Sequence, residues 1–206
     1  TELFMPEPVL TGNQIVLLLN KLLIQLNNEL GLICEQTAFI ATSIAMNDTT
    51  KTEHSLKNIF LTSLFHLIGV QRFFGEKYTS LDSLTTSQKN KCFLYSYSYL
   101  KYMSPLGDDA KALIFYDKKY NSEIAQKIPQ MENASLIFDA QKILFLLRNN
   151  NFKYTQEDLA KISEARANTK YIEIFKNADK TGKITKLLKT CTYKETLTLW
   201  NNTFKY

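Results

Sequence analysis

Two histidines, three cysteines and a scatter of tyrosines, lysines and carboxylates are the groups in this chain that can do chemistry. A hydrolytic metal centre gathers several His and carboxylate ligands, and two histidines are too few for a His-rich di-iron or di-manganese site. His54 follows Glu53 near a helix start and reads as a surface or capping residue. His66 stands inside the apolar run Leu64-Phe65-His66-Leu67-Ile68-Gly69 and reads as a core histidine with satisfied ring nitrogens. Cys34, Cys92 and Cys191 are far apart, with no CxxC spacing, and read as small hydrophobes in a reducing compartment rather than a disulfide or zinc site. No GxSxG, HExxH, P-loop or Gly-rich dinucleotide fingerprint occurs.

Two basic segments are candidate contact surfaces. Tyr116, Lys118, Lys119 and Tyr120 set cations beside aromatic rings, a composition that can stack a guanine and hold a phosphate, although a solvated helix end is the plainer reading. Lys183, Lys186 and Lys189 recur at threes and can meet an acidic partner or a phosphate backbone, with a solvated face again the simpler account.

The elements that must position these residues are helical. Of 206 residues 45% are apolar, while six Gly and four Pro are too few for the turns of a β-sandwich or barrel. The 25 Lys and Arg against 20 Asp and Glu give a net charge of +5, but only Arg72, Arg148 and Arg166 are arginine, so base-reading nucleic-acid recognition is not expected. No apolar run approaches the roughly 18 residues of a membrane span, and no signal peptide is visible, so a soluble cytoplasmic segment is expected.

The spacing predicts a helix from the Thr11/Gln14 capping pattern to Leu30, closed by Gly31, then helices from Ile33 to Met46 and from Leu56 to Ile68. Between Lys89 and Met103, Phe93, Tyr95, Tyr97 and Tyr99 alternate as in a strand, yet Tyr95, Tyr99 and Tyr102 also fit a helix, and periodicity leaves both open. A short helix follows over Asp108 to Lys119, then a strongly apolar helix over Ala134 to Arg148 ended by Asn149 to Asn151, a helix capped by Thr155 and Asp158, and a turn or two over Asn168 to Lys176. A loop is expected over Asn121 to Gln130, and Glu195 to Trp200 fits either a helix or an edge strand. This divides the chain into a linker over 1–12, a helical domain over 13–178 and a basic C-terminal extension over 179–206 packed on that domain.

The order of these segments from about Leu17 to Phe175 resembles the HD-GYP domain, a helical bacterial phosphodiesterase fold. Leu61 to Gly69 is similar to the family's Leu-Leu-His-Asp-Ile-Gly-Lys helix end. Tyr102 to Leu106 is similar to the segment before its paired histidines, and Leu113 to Tyr120 to its Tyr-His-His-Glu-Arg-Tyr. Ile128-Pro129 with Ala134 to Gln141 is similar to its Ile-Pro and Ala-Asp helix, and Phe152-Lys153 with Thr155 to Asp158 to its Pro-Tyr-Arg and next capped helix. The resemblance implies an all-α, HD-GYP-like bundle of about seven to nine helices, with a short strand or helix at the C-terminus. Active members hold two or three metals and cleave cyclic di-GMP.

The departures fall at the family's metal ligands. His66 matches its His-Asp histidine, but Leu67 takes the bridging Asp, Val70 the Lys, Tyr95 the next His, Tyr116 and Asp117 the paired histidines, and Gln141 the later Asp. The first family His falls near Cys34 or Glu35, and the Gly-Tyr-Pro loop is shortened to Asn121 to Lys127. The resemblance therefore implies no catalytic residues, no cofactor and no metal. It implies a vestigial pocket of His66, Leu67, Tyr95, Tyr116, Asp117 and Gln141, with Lys118, Lys119 and Tyr120 as ligand or partner contacts. The expected function is an inactive signalling domain that docks a protein partner or a neighbouring domain of a longer chain. The alternatives are a residual hydrolase with one metal at His66 and Asp117, and a cyclic di-GMP sensor that binds without cleaving.

Overall fold

The computed structural model describes Leu22, Gln25, residues 28–70, Arg72, and residues 85–101, 131–164 and 169–190. Among them are seven α-helices and no strand, as the composition implied. They are α1 (Asn28–Met46), α2 (Glu53–Phe65), α3 (Thr86–Leu100), α4 (Met131–Asn149), α5 (Gln156–Glu164), α6 (Lys170–Ala178) and α7 (Lys183–Lys189), with a 3-10 turn over Ile68–Val70. The expected 1–12 linker, the Asp108 to Lys119 helix, the Asn121 to Gln130 loop and the Glu195 to Trp200 element lie outside the described residues.

Helix α1 is the hub: every residue from Leu30 to Ala45 except the half-buried Leu32 is buried, and α2, α4, α6 and α7 all pack on it. A helix buried on all sides is apolar or carries polar groups with internal partners. Gln36 shows the second case, donating from Nε2 to the Leu188 carbonyl at 3.1 Å while its Oε1 accepts from Arg148 at 3.0 Å. Those two bonds tie α1 to α7 and α4. Gly31 does not close a helix as the spacing suggested, because α1 runs straight through it. Burial of the surrounding face outweighs the roughly 1 kcal/mol that Gly costs inside a helix.

Local signals set the helix starts. Thr52 Oγ1 accepts from Ser55 N at 3.1 Å. Thr85 and Gln88 form a reciprocal capping box, which resolves the ambiguous Lys89 to Met103 stretch as helix α3. Thr155 and Asp158 make the same reciprocal pair ahead of α5, with Asp158 Oδ2 2.8 Å from Thr155 N. Asp179, buried at the turn into α7, accepts from Tyr154 Oη at 2.8 Å, Thr185 N at 3.0 Å and the Thr185 hydroxyl. Ile184 and Leu188 of α7 belong to the core.

Packing is close where α2 ends. The turn over Ile68–Val70 lies directly on α3, with Gly69 N donating to Ser96 Oγ at 2.9 Å. A Cβ at residue 69 would stand 2.2 Å from the Cys92 carbonyl oxygen and 2.5 Å from Ser96 N. Both are backbone atoms of a packed helix, so neither can swing aside. Gly69→Ala is expected to lower stability by about 3 kcal/mol or more, through a steric overlap that must push the turn off α3. Urea unfolding measures this, and a loss under about 1 kcal/mol would mean that the turn and α3 are not in backbone contact.

Candidate functional site

The Gly69 contact delivers His66 into the core. Its side chain is 1% exposed. Nδ1 lies 2.5 Å from the Ser63 carbonyl, which can only accept, so Nδ1 carries the proton. Nε2 is then the acceptor, and it meets Gln141 Nε2 at 3.0 Å. Burial pushes the imidazole pKa down to about 4 against the opposing pull of the Ser63 bond, so the ring is neutral near pH 7. Ser96 closes the junction, donating to the His66 carbonyl at 2.8 Å while accepting from Gly69.

Cys34 of α1 reaches the same junction. Its buried thiol is pushed up to about 12, chiefly by desolvation, partly offset by a hydrogen bond with the Leu67 backbone, and Cys92 lies close enough to raise it further. A thiol held protonated is neither nucleophile nor metal ligand. Leu67 is a core residue at 3% exposure.

The structure thus joins His66, Leu67 and Gln141, three of the residues singled out in the sequence. Tyr95 has a different engagement: the Arg72 guanidinium lies over its ring at 5.0 Å and over that of Tyr99 at 5.3 Å, with Arg72 Nε donating to Tyr99 Oη at 3.1 Å. Tyr116, Asp117, Lys118, Lys119 and Tyr120 lie outside the described residues, as does Cys191. Among the described residues no three His, Cys, Asp or Glu side chains come together as a cation site. The donor set at the junction fits a metal poorly, because both imidazole nitrogens face protein partners and Leu67 offers no lone pair.

Sequence reasoning missed a polar cleft at the opposite end of α2, about 400 Å³ in volume, lined by Thr50, Lys51, His54, Ser55, Asn58, Glu132, Asn133 and Lys170. Lys51 Nζ donates to Asn133 Oδ1 at 3.3 Å and to Tyr171 Oη at 3.1 Å, and lies 5.3 Å from the Tyr171 ring centroid. Tyr171 Oη in turn donates to Glu132 Oε2 at 2.7 Å. Burial pulls the Lys51 pKa below the usual lysine range, against the raising effect of Asp48 and Glu132. Lys170 pairs with buried Asp48 at 3.1 Å, and Asp48 also accepts from the Thr50 amide and hydroxyl. The sequence signal was confined to the Thr52 cap, since the cleft's walls come from segments some 80 and 120 positions apart. His54 is exposed at its rim.

A second, open cleft of about 540 Å³ runs beside α7, where Lys186 and Lys189 join Lys153 and Lys180 above Asp179. The described part of the chain contains no helix long and apolar enough to cross a membrane. The chain matches no protein-family model, no curated protein and no solved structure.

The junction and α4 fix opposing pH dependences. An unfolded His66 takes up its proton as pH falls below 6.5, while the folded chain resists protonation down to about 4, so stability drops across that window. Asp139 of α4 is fully buried and its carboxyl is pushed from 3.8 up to about 7, chiefly by burial, with Lys142 opposing. The folded chain keeps that proton where the unfolded chain has lost it, so Asp139 lowers stability as pH rises from 3.8 to about 7. Asp139→Asn is therefore expected to raise stability at pH 8 relative to pH 4 by about 1 to 3 kcal/mol over the wild-type difference. Denaturant unfolding at a series of pH values checks this, and superimposable profiles would contradict it.

Proposed function

We propose that this chain is an HD-type helical domain that acts as a protein-interaction or regulatory module in cyclic di-GMP-type signalling and does not cleave the nucleotide. One observation carries the reading: the imidazole at the position matching the family's His-Asp histidine is buried and neutral, and its Nε2 accepts from Gln141 at 3.0 Å. Metal-activated hydrolysis needs that lone pair on a cation, with a carboxylate bridging to a second ion to generate hydroxide. Here an amide occupies the lone pair and Leu67 stands at the bridging position. The module would work through its helix surfaces, relaying the state of a neighbouring domain or docking a signalling component such as a diguanylate cyclase.

The test is metal content together with turnover. The chain expressed in medium supplemented with iron and manganese is expected to retain less than about a tenth of an equivalent of either metal. It should leave cyclic di-GMP and its linear product intact when manganese is added. One or two equivalents of metal, with hydrolysis that His66→Ala abolishes, would overturn the proposal and restore the single-metal hydrolase. Saturable heat of cyclic di-GMP binding without turnover would make the module a sensor of that nucleotide.

A further inference from the structure

The cleft between the starts of α2, α4 and α6 is independent of the His66 junction: thirteen residues of α2, about 18 Å of helix, separate them. We propose that it binds a small molecule bearing an oxyanion, carboxylate or phosphate, beside a hydrogen-bond donor such as a hydroxyl.

The oxyanion follows from the balance of charge in the walls. Three helices of nine or more residues begin at the cleft, and their first-turn amides set partial positive charge there. The Lys51 ammonium lines it as well, beside Lys170, whose charge is matched by Asp48. The nearby carboxylates are already engaged. Asp48 takes the Thr50 amide, the Thr50 hydroxyl and Lys170, and Glu132 takes the Tyr171 hydroxyl. Lys51 spends two of its three N–H groups on Asn133 and Tyr171, which hold the ammonium in place, and the third has no partner among the described residues. Partial desolvation strengthens the attraction of that ammonium for an incoming anion.

The donor follows from Asn58. This cleft-lining side chain is 6% exposed; one end of its amide meets His54 Nε2 at 3.2 Å, and the other, Oδ1, is buried without a hydrogen-bond partner. A buried amide oxygen left unpaired is costly, and a ligand hydroxyl supplies the missing bond. The volume of about 400 Å³ is within the range of small-molecule pockets.

The experiment is an amide-resolved NMR titration of the full chain, at constant ionic strength, with four probes: inorganic phosphate, acetate, glycerol 3-phosphate and lactate. Saturable shifts are expected at the amides of Thr52 to Ser55, Glu132, Asn133 and Lys170. A hydroxylated probe should bind at least about fivefold more tightly than its bare counterpart, and whether glycerol 3-phosphate or lactate does so identifies phosphate or carboxylate as the native anion. Lys51→Met should weaken binding at least about tenfold, and Lys186→Met should leave it unchanged. No saturable shift with any probe, equal binding to Lys51→Met and wild type, or equal affinity for hydroxylated and bare probes would overturn the assignment. Should Lys51→Met fail to fold, the wild-type map decides: shifts confined to the cleft sustain the site, and shifts centred on Lys183–Lys189 overturn it. No outcome depends on the signalling role, so the two readings stand or fall separately.

Discussion

Where α2 ends, the chain must turn against the backbone of α3 with no room for a side chain at residue 69. The hydrogen bonds from Gly69 N to Ser96 Oγ and from Ser96 Oγ to the His66 carbonyl show how close that approach is. Once the turn is pressed onto α3, His66 has no route to solvent. Its ring lies among core side chains, and a charged imidazolium there would be strongly disfavoured. The neutral ring then needs one acceptor and one donor, which Ser63 and Gln141 provide. A glycine, a serine, a histidine and a glutamine from three helices and a turn thus form one constraint, and the chemistry open to the site follows from it.

Much of this was legible in the sequence, because it depends on local signals. The Thr155/Asp158 cap, the apolar spacing of α4 and the stop at Asn149 to Asn151 are all short-range, whereas the Thr85/Gln88 box that starts α3 came to light only in the structure. Positive φ at Asn151 and Phe152 ends α4 where three asparagines predict an end, and Phe152 stays against the core despite its strained backbone. Gly31 misled because a breaker at a surface site is tolerated at a buried one. The aromatic alternation over Phe93 to Tyr99 leaves strand and helix open because its rings serve different neighbours: Phe93 packs on Phe138 at 5.3 Å, while Tyr95 and Tyr99 hold Arg72.

The site was legible only in part, for a physical reason. The resemblance in segment order sets His66 and Gln141 in one pocket, while the hydrogen bond between them follows from no property of the two residues alone. The cleft at the other end of α2 had no such guide. Lys51, Asn133 and Tyr171 lie in three segments, and each is unremarkable by type; only the fold gives them a common hydrogen-bond network.

Helix α2 divides the polar chemistry of the molecule. At its C-terminal end the polar groups satisfy one another: His66, Ser63, Gln141 and Ser96 each meet a protein partner, and burial keeps His66 neutral and Cys34 protonated. At its N-terminal end the charges persist and an acceptor on Asn58 is left over. Desolvation explains the difference. A group sealed in the core must be neutral or fully paired, whereas a group on a cleft wall keeps its charge because water or a ligand can reach it. A metal centre needs the opposite arrangement at the histidine: lone pairs turned to one point and left open for a cation. The same burial that stabilises the α2–α3 junction has closed those lone pairs onto the protein, so packing and metal chemistry compete for one histidine, and in this chain packing holds it.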